Sequence, residues 1–151
     1  MGKKLLLEYE DESPYYYLGI SSNIRDYQMV FYLIKNLNLQ FRHVEAFQYS
    51  RAKQDYVYSL YLYIDYENMV NYYLISNKFN ATRLNPEFKH LDFFLILEGE
   101  VDSIYISELA KKIKQIPNVL FATALDESKF DKIQNLRYEF DLHLEKVLKK
   151  I

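Results

Sequence analysis

The stretch Leu84–Glu98, LNPEFKHLDFFLILE, decides how the chain is expected to fold. Pro86 has no N–H to donate to a β-ladder, so the chain must turn or leave a sheet at this point. From Leu91 to Leu97 nearly every residue is apolar, which is typical of a strand that is buried on both faces. The stretch therefore predicts a turn followed by a strand that lies between two layers.

A helix and a further strand are predicted to follow this buried strand. Gly99 ends the strand, and Asp102 or Ser103 supplies an N-cap for a helix with apolar residues at helical spacing. Pro117 stops this helix, and the apolar run Val119–Leu125 predicts the next strand. The chain from 91 to 125 is thus expected to form a strand–helix–strand unit with short links.

The first half of the chain predicts a similar unit and an antiparallel middle. Tyr15–Ser21 is a predicted strand, and Asn23–Leu37 has the apolar spacing of an amphipathic helix, with N-cap candidates just before it. Alternating side chains predict strands at Gln40–Tyr49 and, most clearly, at Tyr56–Tyr66. The remaining predicted strands are Leu5–Tyr9, Val70–Ser76 and a hairpin arm at Phe79–Leu84.

The C-terminal stretch fits two patterns. Apolar and polar residues alternate from Leu136 to Leu144, which favours a strand with a short helical tail after it. Most of the same apolar residues also fit a helical stripe, so a helix is the alternative. The whole pattern predicts one α+β domain over 1–151, an elaborated ferredoxin-like sandwich whose mostly antiparallel sheet carries two helices on one face. Residues 136–151 belong to that domain or extend it at its C-terminus.

Composition excludes several classes of function. The chain has 151 residues, a net charge of −2 and no cysteine. The missing basic surplus argues against autonomous nucleic-acid binding, and the missing cysteine excludes disulfides and thiolate chemistry. The N-terminal apolar run is too short for a signal peptide, and no run approaches the length of a membrane helix. We therefore expect a cytoplasmic protein without a membrane partner.

No pattern in the sequence predicts a catalytic or metal site. The three histidines have no metal-binding spacing, and no nucleophile motif accompanies the serines, so we expect a non-enzymatic protein without cofactor or metal. Tyr61 and Tyr63 lie on one face of a predicted strand and suggest an aromatic surface on which bases stack. The favoured alternative is that helices cover this face and that both rings belong to the core.

The string NPEFKHLDF at Asn85–Phe93 resembles the signature of the IPExxxVDY family, small bacterial proteins to which no activity has been assigned. Pro86, Glu87 and Asp92 match the signature, whereas Asn85 replaces its isoleucine. The resemblance extends roughly over residues 4–136 and implies a cytoplasmic bacterial protein.

Pro86, Glu87 and Asp92 are the only candidate site residues that this resemblance indicates. The favoured structural interpretation is that Glu87 opens a helical turn and that Asp92 accepts N–H groups of a loop. The functional interpretation is a docking site for a basic partner.

The leading functional hypothesis is a protein-binding or adaptor module, acting on another protein or on itself as a homodimer through an exposed strand edge. The alternatives are a small-ligand sensor and an accessory RNA-binding protein within a ribonuclease or ribosome complex.

Overall fold

The structure is a computed structural model that describes residues 14–51, 53–79, 82–128 and 136–150. Its main sheet has six strands in the order β2-β3-β4-β7-β1-β8, and every neighbouring pair is antiparallel. These strands are β1 (Tyr15–Ser22), β2 (Arg42–Arg51), β3 (Gln54–Asp65), β4 (Val70–Ser76), β7 (Phe93–Glu98) and β8 (Val119–Leu125). The short strands β5 (Lys78–Phe79) and β6 (Thr82–Arg83) form a separate hairpin. The predicted strand at Leu5–Tyr9 lies outside the described residues.

The topology confirms the predicted α+β class. A ferredoxin-like core is formed by the strands β8, β1, β7 and β4 together with two helices, α1 (Asp26–Leu37) and α2 (Ser103–Lys114). The hairpin of β2 and β3 is inserted between α1 and β4 and extends the sheet on the β4 side. Among the described strands, the outermost are therefore β2 at one end of the sheet and β8 at the other.

The two predicted helices begin and end for local reasons. The first helix, α1, starts after Arg25, later than the predicted cap residues, and ends at Asn38 in a left-handed conformation that asparagine tolerates. The second helix, α2, starts at the predicted cap Asp102, whose Oδ1 accepts the Tyr105 N–H at 2.7 Å. Gly99, which follows β7, has a φ of 140°, a backbone region that favours glycine.

Each face of the sheet carries its own core. On the first face, α1 and α2 pack their apolar stripes over residues such as Leu18, Leu74 and Leu95. On the second face, residues such as Phe47, Tyr73 and Phe94 form a separate cluster. The strand β7 contributes to both cores, and residues 93–97 are all buried, which confirms the prediction of a strand between two layers.

The predicted strand at 136–144 is wrong, because this stretch belongs to a third helix, α3 (Leu136–Leu148). Its buried residues follow helical spacing and pack on the second face of the sheet: Leu136, Phe140, His143, Leu144 and Val147. The alternation came from Tyr138 and Leu142, which are apolar but exposed. Of the helices in the described residues, two therefore lie on one face of the sheet and one on the other.

None of the helices in the described ranges is long and apolar enough to cross a membrane.

Candidate functional site

The signature segment forms a short turn at the end of the sheet. Pro86–Phe88 is a single 3₁₀ turn in which proline occupies an initial position, where its missing N–H is not needed. The Oδ1 atom of Asn85 accepts the Glu87 N–H at 3.1 Å and caps the turn. Glu87 itself is exposed. The turn is thus capped by Asn85, which takes the place of the isoleucine in the signature.

Asp92 joins three elements of the fold. Its Oδ2 accepts the Ser22 N–H at the end of β1, at 2.9 Å, and its own N–H donates to the Ile20 carbonyl at 2.7 Å. Its Oδ1 lies 3.8 Å from Nη1 of Arg83 in β6. These contacts hold the beginning of β7 against β1 and the small hairpin. The hypothesis that Glu87 and Asp92 dock a basic partner stays a prediction.

Asn77, which directly follows β4, organises the signature segment from within. Its side chain is fully buried and donates to the carbonyl oxygens of Phe88 at 3.0 Å and Leu91 at 2.9 Å. Its Oδ1 accepts the Asn85 N–H at 2.8 Å, and its backbone N–H donates to the Asp92 carbonyl at 2.9 Å. One side chain therefore satisfies three buried backbone groups of the segment, which is a structural role.

The candidate aromatic surface lies on the face that α1 and α2 cover. Tyr61 is only 9% exposed, and its hydroxyl donates to Oδ2 of Asp26 at 3.2 Å. Burial and the Asp26 carboxylate raise the pKa of Tyr61 to about 12. Tyr63 is half-buried and stacks on Tyr72, with ring centroids 5.1 Å apart. The base-stacking hypothesis stays a prediction that depends on Tyr63.

A polar pocket of about 280 Å³ lies between the sheet and α3. The Tyr15 hydroxyl donates to Oδ1 of Asp141 at 2.8 Å, and the Tyr73 hydroxyl donates to Oε1 of Glu98 at 2.5 Å. The guanidinium of Arg137 stacks 3.8 Å from the Tyr15 ring centroid and pairs with Asp141 at 3.4 Å. Burial and then the neighbouring carboxylates raise the pKa of both tyrosine hydroxyls well above their usual range. The pocket therefore holds neutral phenols beside acidic groups.

The outer strand β2, which reads RHVEAFQYSR, is protected in several ways. Its register with β3 shifts between Val44 and Phe47, which is a bulge in the middle of the strand. The Glu45 carbonyl at this bulge lies 2.8 Å from Nε2 of His143 in α3, and since a carbonyl oxygen can only accept, Nε2 carries the proton. The Glu45 carboxylate is also bound by Lys146 at 3.4 Å and Lys150 at 3.2 Å. This edge is closed by charge, by the bulge and by α3.

The outer strand β8, which reads VLFATAL, lacks the charged side chains of β2, and its register shift lies near its start instead of in its middle. It contains no charged residue and no proline. Leu120, where its register with β1 shifts, is 60% exposed, and Phe121 is 42% exposed. The five residues from Phe121 to Leu125 keep an unbroken register with β1. No strand among the described residues pairs with the other side of β8, so alternate N–H and C=O groups along it point away from the sheet.

A groove of about 650 Å³ runs between β8 and α2. Its walls are lined by Ser103, Ser107, Lys111 and Lys114 of α2 and by the small side chains of Ala122 and Ala124. Hydrogen-bonding backbone, exposed apolar side chains and an adjacent groove thus occur together at the β8 edge. The sequence predicted the strand, but the pattern of a single strand does not reveal that it lies at the edge of a sheet.

The described residues hold no cluster of three or more side chains suited to a metal ion. The described residues form an α+β sandwich of the ferredoxin-like type, in which α3 binds one outer strand, β2, and no described strand pairs with the outer side of the other, β8. No protein-family model matches the chain, and no curated protein matches it either. The resemblance to the IPExxxVDY family therefore stays a prediction.

Proposed function

We propose that this protein is a non-enzymatic protein-binding module that takes an extended, uncharged segment of a partner onto β8 by strand addition. The observation that supports this proposal most strongly is the contrast between two strands. In β8, which is uncharged, the outward backbone groups meet no other strand of the described residues, whereas in β2 the helix α3 binds Glu45 at the bulge. An added strand would bond the outward N–H and C=O groups of β8, and these main-chain bonds supply affinity.

The partner segment should be apolar or neutral where it faces β8. Leu120 and Phe121 would lose exposed apolar surface on binding, which is favourable, whereas a charge placed beside them would be desolvated without a counter-ion. The ends of the site differ in charge. Lys111, Lys112 and Lys114 precede the start of β8, and Asp126 and Glu127 follow its end. A segment added antiparallel therefore fits best with a basic N-terminus and an acidic C-terminus.

The resemblance at Pro86, Glu87 and Asp92 supports a further part of the proposal, namely that the chain is a cytoplasmic bacterial protein of the IPExxxVDY family. The contacts of Asp92 and the turn at Pro86 support a structural role for these two residues. In this proposal, the signature residues stabilise the sheet whose open edge binds the partner.

A short synthetic peptide tests the strand-addition site. The peptide alternates threonine and valine and carries lysine at its N-terminus and glutamate at its C-terminus; the control peptide has these two charges exchanged. In excess over isotope-labelled protein, the first peptide should shift the NMR signals of β8 and bind more tightly than the control peptide.

Two variants of the protein complete this test. Phe121→Lys places a charge on the open edge and should weaken binding, whereas Gln48→Lys places the same charge on the closed edge and should not. Peptide-induced shifts at β2 instead of β8, or no shifts in any part of the chain, would refute the proposal.

The polar pocket supports a second candidate, a small-ligand sensor. Glu98 and Asp141, each bonded to a tyrosine hydroxyl, would suit an amine or another hydrogen-bond donor. A thermal-shift screen with amino acids and nucleotides should then reveal at least one compound that raises the melting temperature. That compound should stabilise Tyr73→Phe less than the wild type, and a screen without any stabilising compound would remove this candidate.

A further inference from the structure

We propose that, in the absence of a partner, a second copy of this chain occupies the β8 edge, paired antiparallel through β8 about a two-fold axis. This inference rests on the proposed function, since it assigns a resting occupant to the same strand-addition site. It also makes the two occupants mutually exclusive, so that a partner segment must displace the second copy before it binds.

The strand is self-complementary in any antiparallel register. Because Val119–Leu125 contains no charge, pairing it with itself places neutral residues opposite neutral residues at every position. A two-fold axis gives each copy the same contacts, so the exposed side chains of Leu120 and Phe121 are covered in both copies at once. Self-pairing of β2 would have to displace the contacts that His143 and Lys146 of α3 make with Glu45.

Charge at the two ends of the strand favours the antiparallel arrangement. The exposed lysines Lys112 and Lys114 lie just before the start of β8, and the exposed acids Asp126 and Glu127 lie just after its end. Antiparallel pairing places the basic end of one copy beside the acidic end of the other, and symmetry makes this contact twice. A parallel arrangement would instead place like charges together at both ends.

The helix α2 repeats this charge pattern above the strand. The helix begins after Asp102 and has lysines in its last turn. In two copies related by the axis, the acidic start of one α2 therefore lies beside the basic end of the other. Both copies of α2 would lie on the same side of the joined sheet, because the axis stands perpendicular to it. The side chains between them are small on the strand, Ala122 and Ala124, and on the helix, Ser103 and Ser107. The groove beside β8 thus provides room for the two copies to approach each other.

Sedimentation equilibrium of the full chain tests the pairing. The wild type should show a concentration-dependent monomer–dimer equilibrium. Phe121→Lys should raise the dimer dissociation constant by at least about 30-fold, since it removes an exposed apolar side chain from the paired strand and adds a positive charge to that strand in each copy. Gln48→Lys, with the same change of charge on the closed edge, should leave the constant unchanged.

Charge exchange tests the antiparallel orientation. One variant carries Lys112→Glu and Lys114→Glu, and the other carries Asp126→Lys and Glu127→Lys. Each variant alone should dimerise more weakly than the wild type, because both ends of its strand then carry the same sign. An equimolar mixture should recover dimer, because every end contact in the mixed pair joins opposite charges.

The results separate this inference from the proposed function. A wild type that stays monomeric but binds the threonine–valine peptide would overturn the self-pairing and keep the strand-addition site. A monomer that does not bind the peptide would overturn both. A dimer that Phe121→Lys does not weaken would overturn β8 as its interface, whereas a dimer that the peptide converts to monomer supports the competition between the two occupants.

Discussion

The two outer strands of the sheet differ in what lies beside them. At β2, the helix α3 covers the bulge, and His143 and two lysines bind the backbone and side chain of Glu45. At β8, the outward backbone groups meet no other strand of the described chain, and the side chains are neutral. Each of the two strands pairs with one neighbour among the described strands, so edge position alone does not make a docking site. The neighbouring elements and the charge on the strand decide whether it can pair again.

The largest loss of stability beside the closed edge is expected from Phe140→Ala. Phe140 is buried, and its ring packs edge-on against Phe47 of β2, with centroids 5.3 Å apart, and against Tyr73 at 5.9 Å. Removing the ring leaves a cavity under α3 and should lower the free energy of unfolding by about 3–5 kcal/mol. Urea denaturation measures the change.

A second aromatic residue of the same helix supplies the control for this variant. Tyr138 is 63% exposed, so Tyr138→Ala should change the free energy of unfolding by less than about 0.5 kcal/mol. If the two variants lose equal stability, α3 does not cover the closed edge in the way described.

A smaller effect is expected from His143→Leu, which opens the closed edge locally. The change keeps most of the side-chain volume but removes the donor to the Glu45 carbonyl, and an unsatisfied carbonyl there should cost about 1–3 kcal/mol. Amide exchange near the β2 bulge should also become faster. His143→Gln retains a donor and should recover part of the loss; a leucine variant as stable as the wild type would mean that this bond does not close the edge.

The smallest effect should be the pH dependence that Glu45 contributes. Its hydrogen bonds to Lys150 and Lys146 hold the pKa of this carboxyl below its usual value of about 4.3. The stabilisation is therefore present above the unfolded pKa and is lost as the pH falls through the folded pKa. The difference in unfolding free energy between wild type and Glu45→Gln should be small at neutral pH and should shrink below about pH 4. A difference that grows on acidification would contradict this assignment.

The sequence predicted those parts of the fold that depend on local pattern. The apolar run of β7 indicated a strand between two layers, and Asp102 marked the start of α2. The strand prediction at 136–144 is wrong because Tyr138 and Leu142 are apolar without being buried. With these two residues the stretch fits strand alternation as well as helical spacing. The stretch forms a helix because its buried residues at helical spacing pack on the second face of the sheet. This contact with distant strands is not visible in the local pattern.

The candidate site depended on contacts between distant parts of the chain and was less predictable. Pro86, Glu87 and Asp92 were identified from their pattern, but the side chain that organises this segment is Asn77, which lies before the hairpin. Its sequence context is that of an ordinary turn. Likewise, Val119–Leu125 looks like a buried strand until the strand order places it at the edge.

Amide hydrogen exchange at two protein concentrations tests most directly whether β8 is the open edge and β2 the closed one. We predict that alternate amides between Phe121 and Leu125 exchange more slowly as the concentration rises, because a second strand pairs with them, while exchange along Arg42–Arg51 does not change. Concentration-dependent protection of β2, or slow exchange of every β8 amide at all concentrations, would contradict the account.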